Sequence, residues 1–382
     1  MTTIGDVLVE YKELPERGAK PPVLTLTEKN GFVLQADRFH KRLATEDTSK
    51  YKVVHRLDIA FNPYLLWAGA VAQNTIVDEG VISPLYPTFK VRDGFDPVYV
   101  TRLLLSPEMV SAYDGIAFGS VPRRRRSSVP DFLGLQIPTP PPLDEQHRIA
   151  AILDHADALR TKRRQAISHL DDLAQSIFLD MFGDPDDYAK TGDTTPFASV
   201  ADLQGGRNLV ADDSEIESPY RVLKISAVTS GQFKPVESKP LPLDYQPPPE
   251  HLVRSGDLLI SRANTTELVG AVAFVRDVAA NLALPDKIWR FVWRDPHSVP
   301  LFYWSLFRTP SIRRRMSQLS SGTGGSMKNI SKAKLGQLEI PLITTDQQRK
   351  FAHRITAVPA ASGDEFDDLF TSLQSRAFTG QL

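Results

Sequence analysis

The sequence predicts an α+β fold: two similar domains separated by long helices that pair as an antiparallel coiled coil, related by a pseudo-twofold internal repeat. Three observations carry this. The segment IPTPPPLDEQHRIA from Ile137 and the segment IPLITTDQQRKFAHRI from Ile340 share an Ile-Pro step, a short turn and a Gln/Arg-rich helix start. Their flanks recur too: Gly69-Ala70-Val71-Ala72 as Gly270-Ala271-Val272-Ala273, Asp58 as Asp257, and Leu170-Asp171-Asp172-Leu173 as Phe366-Asp367-Asp368-Leu369, all at an offset of about 200 residues. The stretch from Asp144 to Phe182 is helical in pattern throughout. A duplicated unit this long means two like domains, each followed by helix.

In chain order, residues 1–136 form the first domain. Short strands are expected at Val23–Leu26, Asp58–Phe61 and Gly69–Ala72, with a helix near Pro97 to Leu105 and turns at Lys29-Asn30-Gly31 and Arg92-Asp93-Gly94. Residues 137–185 are a Pro-rich connector and a long spacer helix. Pro138, Pro140, Pro141 and Pro142 force extended chain, because each fixes its own φ and keeps its predecessor out of the helical region. Ile149, Ile152, Ala156, Leu159, Arg163, Ala166, Leu170, Leu173 and Ile177 then alternate spacings of three and four, a heptad seam with one polar layer. About 39 residues at the helical rise give a rod of roughly 58 Å, stopped by Gly183 and Pro185. Residues 186–339 repeat the first domain, with strands at Val222–Ile225 and Asp257–Ile260. Residues 340–382 close the chain and pair with the central helix. They open on a capping box, Thr345 with Gln348, and Pro359 and Gly363 divide them into helices at about 346–357 and 364–378.

Bulk composition narrows the function classes. The chain has 382 residues, 41% hydrophobic and 24% charged, with no cysteine. That is globular usage, and it excludes disulfides, thiolate metal sites and a Cys nucleophile together. No apolar run approaches membrane-spanning length and the N-terminus lacks a signal-peptide core, so a cytoplasmic protein is expected.

The net charge of −1 hides a segregation. Between Asp295 and Glu339 there is no acid, while Arg308, Arg313, Arg314, Arg315, Lys328, Lys332 and Lys334 fall there. Between Asp114 and Asp131 there is again none, and Arg123, Arg124, Arg125 and Arg126 stand together. Both stretches precede their Ile-Pro step. An isolated Arg run is commonly a solvated loop, but a positive patch duplicated in register points to two equivalent phosphate contacts.

LDEQHRIAAILD and DLAQSIFLDMFGDP after Ile137-Pro138, and QQRKFAHRI and LFTSLQSRAFTGQL after Ile340-Pro341, resemble the specificity subunit of type I restriction-modification systems. So do DIAFNPYLLWAGAVA with GVISPLYPTF, and SGDLLISRANTTELVGAVAFV with SGTGGSMKNIS. The resemblance covers essentially the whole chain. It implies two target-recognition domains separated by long conserved helices, each domain reading one half of a bipartite, asymmetric double-stranded DNA site. It implies partners as well: two methyltransferase subunits docking on the helices, here through Ile149, Ile152, Leu159, Leu170, Leu173 and Ile177, and restriction/translocase subunits. This chain would be non-catalytic and hold no cofactor; S-adenosylmethionine, ATP and Mg would sit on the partners. The second helical region departs from the family pattern in being shorter and interrupted by proline.

The residues support that picture on their own terms. Two basic domains held apart by a rod can meet one duplex at two places one or two turns apart, a turn being about 34 Å. The loop after each Asp-led strand is the first place to look. In the second copy it offers Arg262 for guanine and Asn264 for adenine; in the first it offers Asn62 and Tyr64. Ser326, Lys328 and Asn329, with Arg123 to Arg126 as counterpart and Arg313 to Arg315 nearby, would hold phosphates or bases. Any one of these residues also reads as an ordinary turn residue satisfying backbone groups.

Other chemistry finds little footing. Phe61-Asn62-Pro63-Tyr64 is similar to the Asn-Pro-Pro-Tyr element of adenine methyltransferases but lacks the second proline, and no Gly-rich turn precedes it. Asp6, Glu10 and Lys12 form only a short nuclease-like string, and there is no Gly-x4-Gly-Lys-[Ser/Thr] loop. His147, His155 and His169 lie along the helix without metal-ligand spacing. A free-standing DNA adenine methyltransferase or nuclease with a duplicated domain remains the alternative. A coiled-coil adaptor would leave the paired basic stretches unused.

Overall fold

Short apolar strands bounded by turns build one four-stranded antiparallel sheet in each half of the chain. A computed structural model describes residues 2–19, 21–27, 31–38, 47–119, 125–207, 209, 218–322, 328–356 and 364–382. It divides into two units, residues 1–165 with 362–382, and residues 166–361.

In the first unit the sheet runs, in spatial order, Leu8–Tyr11, Thr88–Val91, Ile59–Phe61, Val71–Gln73. In the second it runs Ala201–Gly205, Ile288–Trp293, Leu258–Ser261, Val272–Phe274. The register repeats as well: Phe61 faces Val71 as Ile260 faces Val272, and Ala60 faces Thr88 as Leu259 faces Arg290. The repeat read in the sequence is thus a repeat of topology. Asp58 and Asp257 earn their recurrence by one job, each carboxylate accepting the backbone N–H three residues upstream, from His55 at 2.9 Å and Arg254 at 2.8 Å.

The glycines expected to begin strands do something else. Gly69 and Gly270 adopt φ of 83° and 76°, left-handed turns that only then release the strands at Val71 and Val272. A side chain at Gly270 would also meet Met316 Sδ at 2.8 Å. The expected strand at Val23–Leu26 is Leu24–Thr27, and that at Val222–Ile225 is Arg221–Leu223.

Helices start at side-chain caps followed by proline, which lacks the N–H that a first turn leaves unpaired. Asp96 accepts from Tyr99 N ahead of Pro97–Leu104, Ser106 from Met109 N ahead of Pro107–Gly115, and Thr309 from Ile312 N ahead of Pro310–Leu319. Against the sheets these helices bury aromatic cores: Phe61, Phe89 and Phe132 in the first unit, Phe197, Phe291 and Phe307 in the second.

The long helix spans Leu143–Phe182, 40 residues. Its start belongs to the first unit, burying Gln146, Ile149 and Leu153, and the chain's last helix, Asp364–Phe378, packs there with it. Arg164 pairs with Asp367 at 2.7 Å and Arg160 lies 4.2 Å from the Phe370 ring centroid, while Ile149 and Leu153 share a cluster with Phe378. Numbers falling on one helix as they rise on the other make the pairing antiparallel. Its end belongs to the second unit, where Phe178 and Phe182 meet Phe351 of the helix Thr345–Thr356 at 5.5 and 5.8 Å between ring centres.

Two expectations about this region need correcting. The single seam from Ile149 to Ile177 assumed one partner along the whole helix. The buried residues are Gln146, Ile149, Ala150 and Leu153 at one end and Ala174, Phe178 and Phe182 at the other, while Leu159 and Leu173 are 51% and 47% exposed and residues 161–166 are uncovered. A helix that serves different cores at its two ends shows no continuous stripe. The capping box, secondly, is formed by Thr344 and Gln347 at 3.3 and 3.4 Å. Gln348 turns inward instead, donating to Ile343 O at 2.9 Å.

Candidate nucleic-acid interface

Strand ends fix where the candidate loops lie. Asn62 N donates to Ala70 O at 2.9 Å and Ser261 N to Ala271 O at 2.8 Å, so Asn62-Pro63-Tyr64 and Ser261-Arg262-Ala263 are structural equivalents. A second loop closes on each of them. Phe118 and Arg126 exchange backbone hydrogen bonds at 3.1 and 2.9 Å, as Ser321 and Asn329 do at 2.9 Å. The residues next in line then tie the two loops: Ser127 N donates to Pro63 O, and Ile330 N to Arg262 O, both at 2.9 Å. Each unit therefore brings together, in one clasp, the two loops that the sequence singled out far apart along the chain.

In the first unit the side chains of that clasp divide by role. Asn62 is only 8% exposed, its Oδ1 accepting from Tyr64 N at 3.0 Å and its Nδ2 donating to the Tyr86 hydroxyl at 3.3 Å. It shapes the turn. Arg125 is a strut: Nη1 donates to Asp114 Oδ1 at 2.5 Å, Nη2 to Asp114 O at 2.7 Å, and the guanidinium lies 5.7 Å from the Trp67 ring centre. Arg126 is exposed, 5.7 Å from the Tyr64 ring centre. Arg126 and Tyr64 are thus the pair turned outward. Arg123, Arg124 and Ser326 lie outside the described residues.

In the second unit Arg262 lies 5.7 Å from the Trp289 ring centre with Nη2 3.8 Å from Asp286 Oδ2, and Lys332 Nζ lies 5.7 Å from that same ring centre. Asn264 pairs through its backbone with Lys328, and its side chain accepts from Thr265 N at 2.8 Å. Lys328 Nζ donates to Gly322 O at 3.0 Å.

The triple arginine is not a free patch. Arg314 and Arg315 both bind the Asp186 carboxylate, Arg315 through Nε at 2.9 Å. Hydrogen bonds from Arg315 hold Asp186 below the usual carboxylate range. Arg313 Nη2 donates to Glu267 O at 2.7 Å, and burial pushes its guanidinium pKa down. Arg308 pairs with Asp171 at 3.2 Å and lies 4.2 Å from the Trp304 ring centre. Counting acids within the stretch missed those that fold onto it, Asp171 and Asp186, from the preceding helices.

On the helices, Ile149 is 4% exposed in the first unit's core, so it offers nothing to a partner chain. Ile152, Leu170 and Ile177 are half-buried. Leu159 and Leu173 are exposed, and so are Phe366 at 38% and Leu369 at 63%, the repeat-mates of Leu170 and Leu173 that the sequence reading did not assign. Asp6 caps the Thr3 backbone, whose hydrogen bond holds its carboxyl low. Among the described residues no three His, Asp or Glu side chains gather to hold a metal, and no helix is long and apolar enough to cross a membrane.

No family model matches. The chain is 31% identical to the EcoEI specificity subunit of a type I restriction enzyme from Escherichia coli across 44% of this chain, though it spans only 27% of that protein's length. It is 23% identical to the MjaVIII specificity subunit from Methanocaldococcus jannaschii across 93% of this chain and 84% of that one. The crystal structure of a type I S subunit from M. genitalium aligns with 99% of this chain at 13% identity and a TM-score of 0.49.

Proposed function

We propose, on the premise of that similarity to specificity subunits of type I restriction enzymes, that this chain is the DNA-reading subunit of such an assembly. Each unit reads one half of a bipartite, asymmetric site. One observation carries the reading: the same two-loop clasp occurs in both units with different side chains in it, Asn62, Pro63, Tyr64 and Arg126 in one, Ser261, Arg262, Ala263 and Asn329 in the other. Equivalent frames with unlike contents suit two unlike half-sites. Phosphate contacts give affinity and base-edge contacts give sequence. The outward Arg126 and Tyr64, and Arg262 and Asn264, are the side chains for those tasks.

The rest of the assembly follows as part of the proposal. Two methyltransferase subunits dock on the helices, with exposed Leu159, Leu173 and Leu369 as apolar contacts, and restriction subunits join them. S-adenosylmethionine, ATP and Mg belong to those partners. The test exchanges residues 186–339 for the matching segment of a relative, co-expresses the chimera with its modification subunits, and maps methylated sites genome-wide. One half-site changes and the other stays. Changes in both halves, or no sequence preference in either, overturn the reading.

A further inference from the structure

Arg262 and Asp286 form an ion pair that the fold does not need. Their nearest atoms are 3.8 Å apart, and the pair leaves Arg262 Nε and Asp286 Oδ1 buried with no hydrogen-bond partner. An orphaned donor on one partner and an orphaned acceptor on the other cost stability. The first unit shows the inexpensive solution: Pro63 stands where Arg262 stands, and counting back from the paired positions Thr88 and Arg290, Pro84 stands where Asp286 stands. Both charges are present in one unit and both absent from the other.

Everything around Arg262 restrains it. Its backbone N donates to Lys287 O at 3.0 Å and its carbonyl accepts from Ile330 N at 2.9 Å, so the clasp holds it from two sides. The Trp289 ring lies alongside its guanidinium. About a third of its side chain stays exposed, 35%, beside 32% for Asp286. A planar fork held by a ring and a carboxylate, with part of it open to solvent, suits the adjacent O6 and N7 acceptors on the major-groove edge of guanine.

We infer that Asp286 is a positioning residue that holds Arg262 to read a guanine in the half-site of the second unit, and that the first unit has no equivalent reader. The inference rests on the DNA-reading function proposed above. It is tested by selecting from a pool of duplexes with randomised sequence, using the full chain assembled with its modification subunits, for the parent, Asp286→Asn, Arg262→Lys and Arg262→Ala. Half-sites are assigned by the domain exchange. The parent selects a G·C pair at a position of the second unit's half-site. Arg262→Ala loses that preference, Arg262→Lys keeps binding with a weaker preference because it lacks the planar fork, and Asp286→Asn weakens it about tenfold with every other position unchanged. A folded Asp286→Asn chain that keeps the parent's preference, or weakens all positions alike, overturns the inference, as does an Arg262→Ala chain that still selects guanine. If the parent selects no sequence at all, the DNA-reading function itself falls and takes this inference with it.

Discussion

Gln146, 1% exposed, accepts the backbone N–H of Asp96 at 2.9 Å and donates to Pro141 O at 2.8 Å. It ties the start of the long helix to the cap of Pro97–Leu104 and to its own connector. Gln348 does the same in the second unit, accepting from Val299 N at 3.3 Å and donating to Ile343 O at 2.9 Å. The glutamine of each helix start is therefore a clamp. Replacing Gln146 by Leu leaves Asp96 N and Pro141 O unpaired in a covered site, at about 1–3 kcal/mol. Hydrogen exchange of the Asp96 to Leu104 amides should speed up, and unchanged protection there would show the clamp to be dispensable.

Arg290 and Asp257 form an ion pair at 2.9 Å with side chains 8% and 13% exposed, and Arg290 Nη1 donates to Glu250 O at 3.1 Å. Arg290→Ala leaves the buried carboxylate without its countercharge, with only the Arg254 N–H bonded to it, and should destabilise the second unit by about 3 kcal/mol. Chemical denaturation of the variant beside the parent measures this. A loss below about 1 kcal/mol would mean that water reaches Asp257 after the change.

Arg125 and Arg126 adjoin in sequence and differ in role. Arg126→Ala should lower DNA affinity and reduce the slope of log affinity against log salt by about one, with thermal stability unchanged. Arg125→Ala should lower stability, because its guanidinium holds Asp114 and the carbonyl of Ala117. Titrations at several salt concentrations, paired with melting curves, separate the two; equal effects on both readouts would refute the division.

Asp186 carries a pH signature. Its carboxyl is held low by hydrogen bonds from Arg315, so its contribution is full above the ordinary carboxylate pKa and lost as pH falls through the lowered value. Asp186→Asn should therefore cost a few tenths to about 1 kcal/mol at neutral pH, the site being partly exposed. The gap from the parent should close as acid is added; a gap that persists at low pH would assign the loss to packing instead.

Phe351 is fully buried against Phe178, Phe182 and Phe302. Phe351→Ala should cost the second unit about 3–5 kcal/mol. Calorimetry should show a lowered transition for that unit, and an unshifted scan would contradict the packing described.

The repeat, the long helix and the division of the closing segment into two helices were all legible, because each leaves a pattern in adjacent residues. The Asp-led loop and the basic loop were each legible because both recur in register, but their pairing was not: it rests on single backbone hydrogen bonds, Ser127 N to Pro63 O and Ile330 N to Arg262 O, between residues more than 60 apart in the chain. The strands Leu8–Tyr11 and Thr88–Val91 were not read. Each is only four residues long, so even the alternation of Thr88-Phe89-Lys90-Val91 is too brief a pattern to stand out from chance. The caps Ser106-Pro107 and Thr309-Pro310 were in plain view as helix starts and went unused. Charge misled for a physical reason: Arg313 to Arg315 look uncompensated along the chain, and only folding brings Asp186 beneath two of them.

The first unit is finished by a helix from far along the chain. Phe378 meets Tyr99 with ring centres 5.5 Å apart, and Ala377 joins the same cluster. As the ribosome works from the N-terminus, the earlier domain stays unsealed while about 200 further residues are synthesised, whereas the later one has its helices as soon as Thr356 has emerged. Birth order and completion order are reversed, and the exposed edge around Tyr99 is where a nascent-chain chaperone would have its longest opportunity.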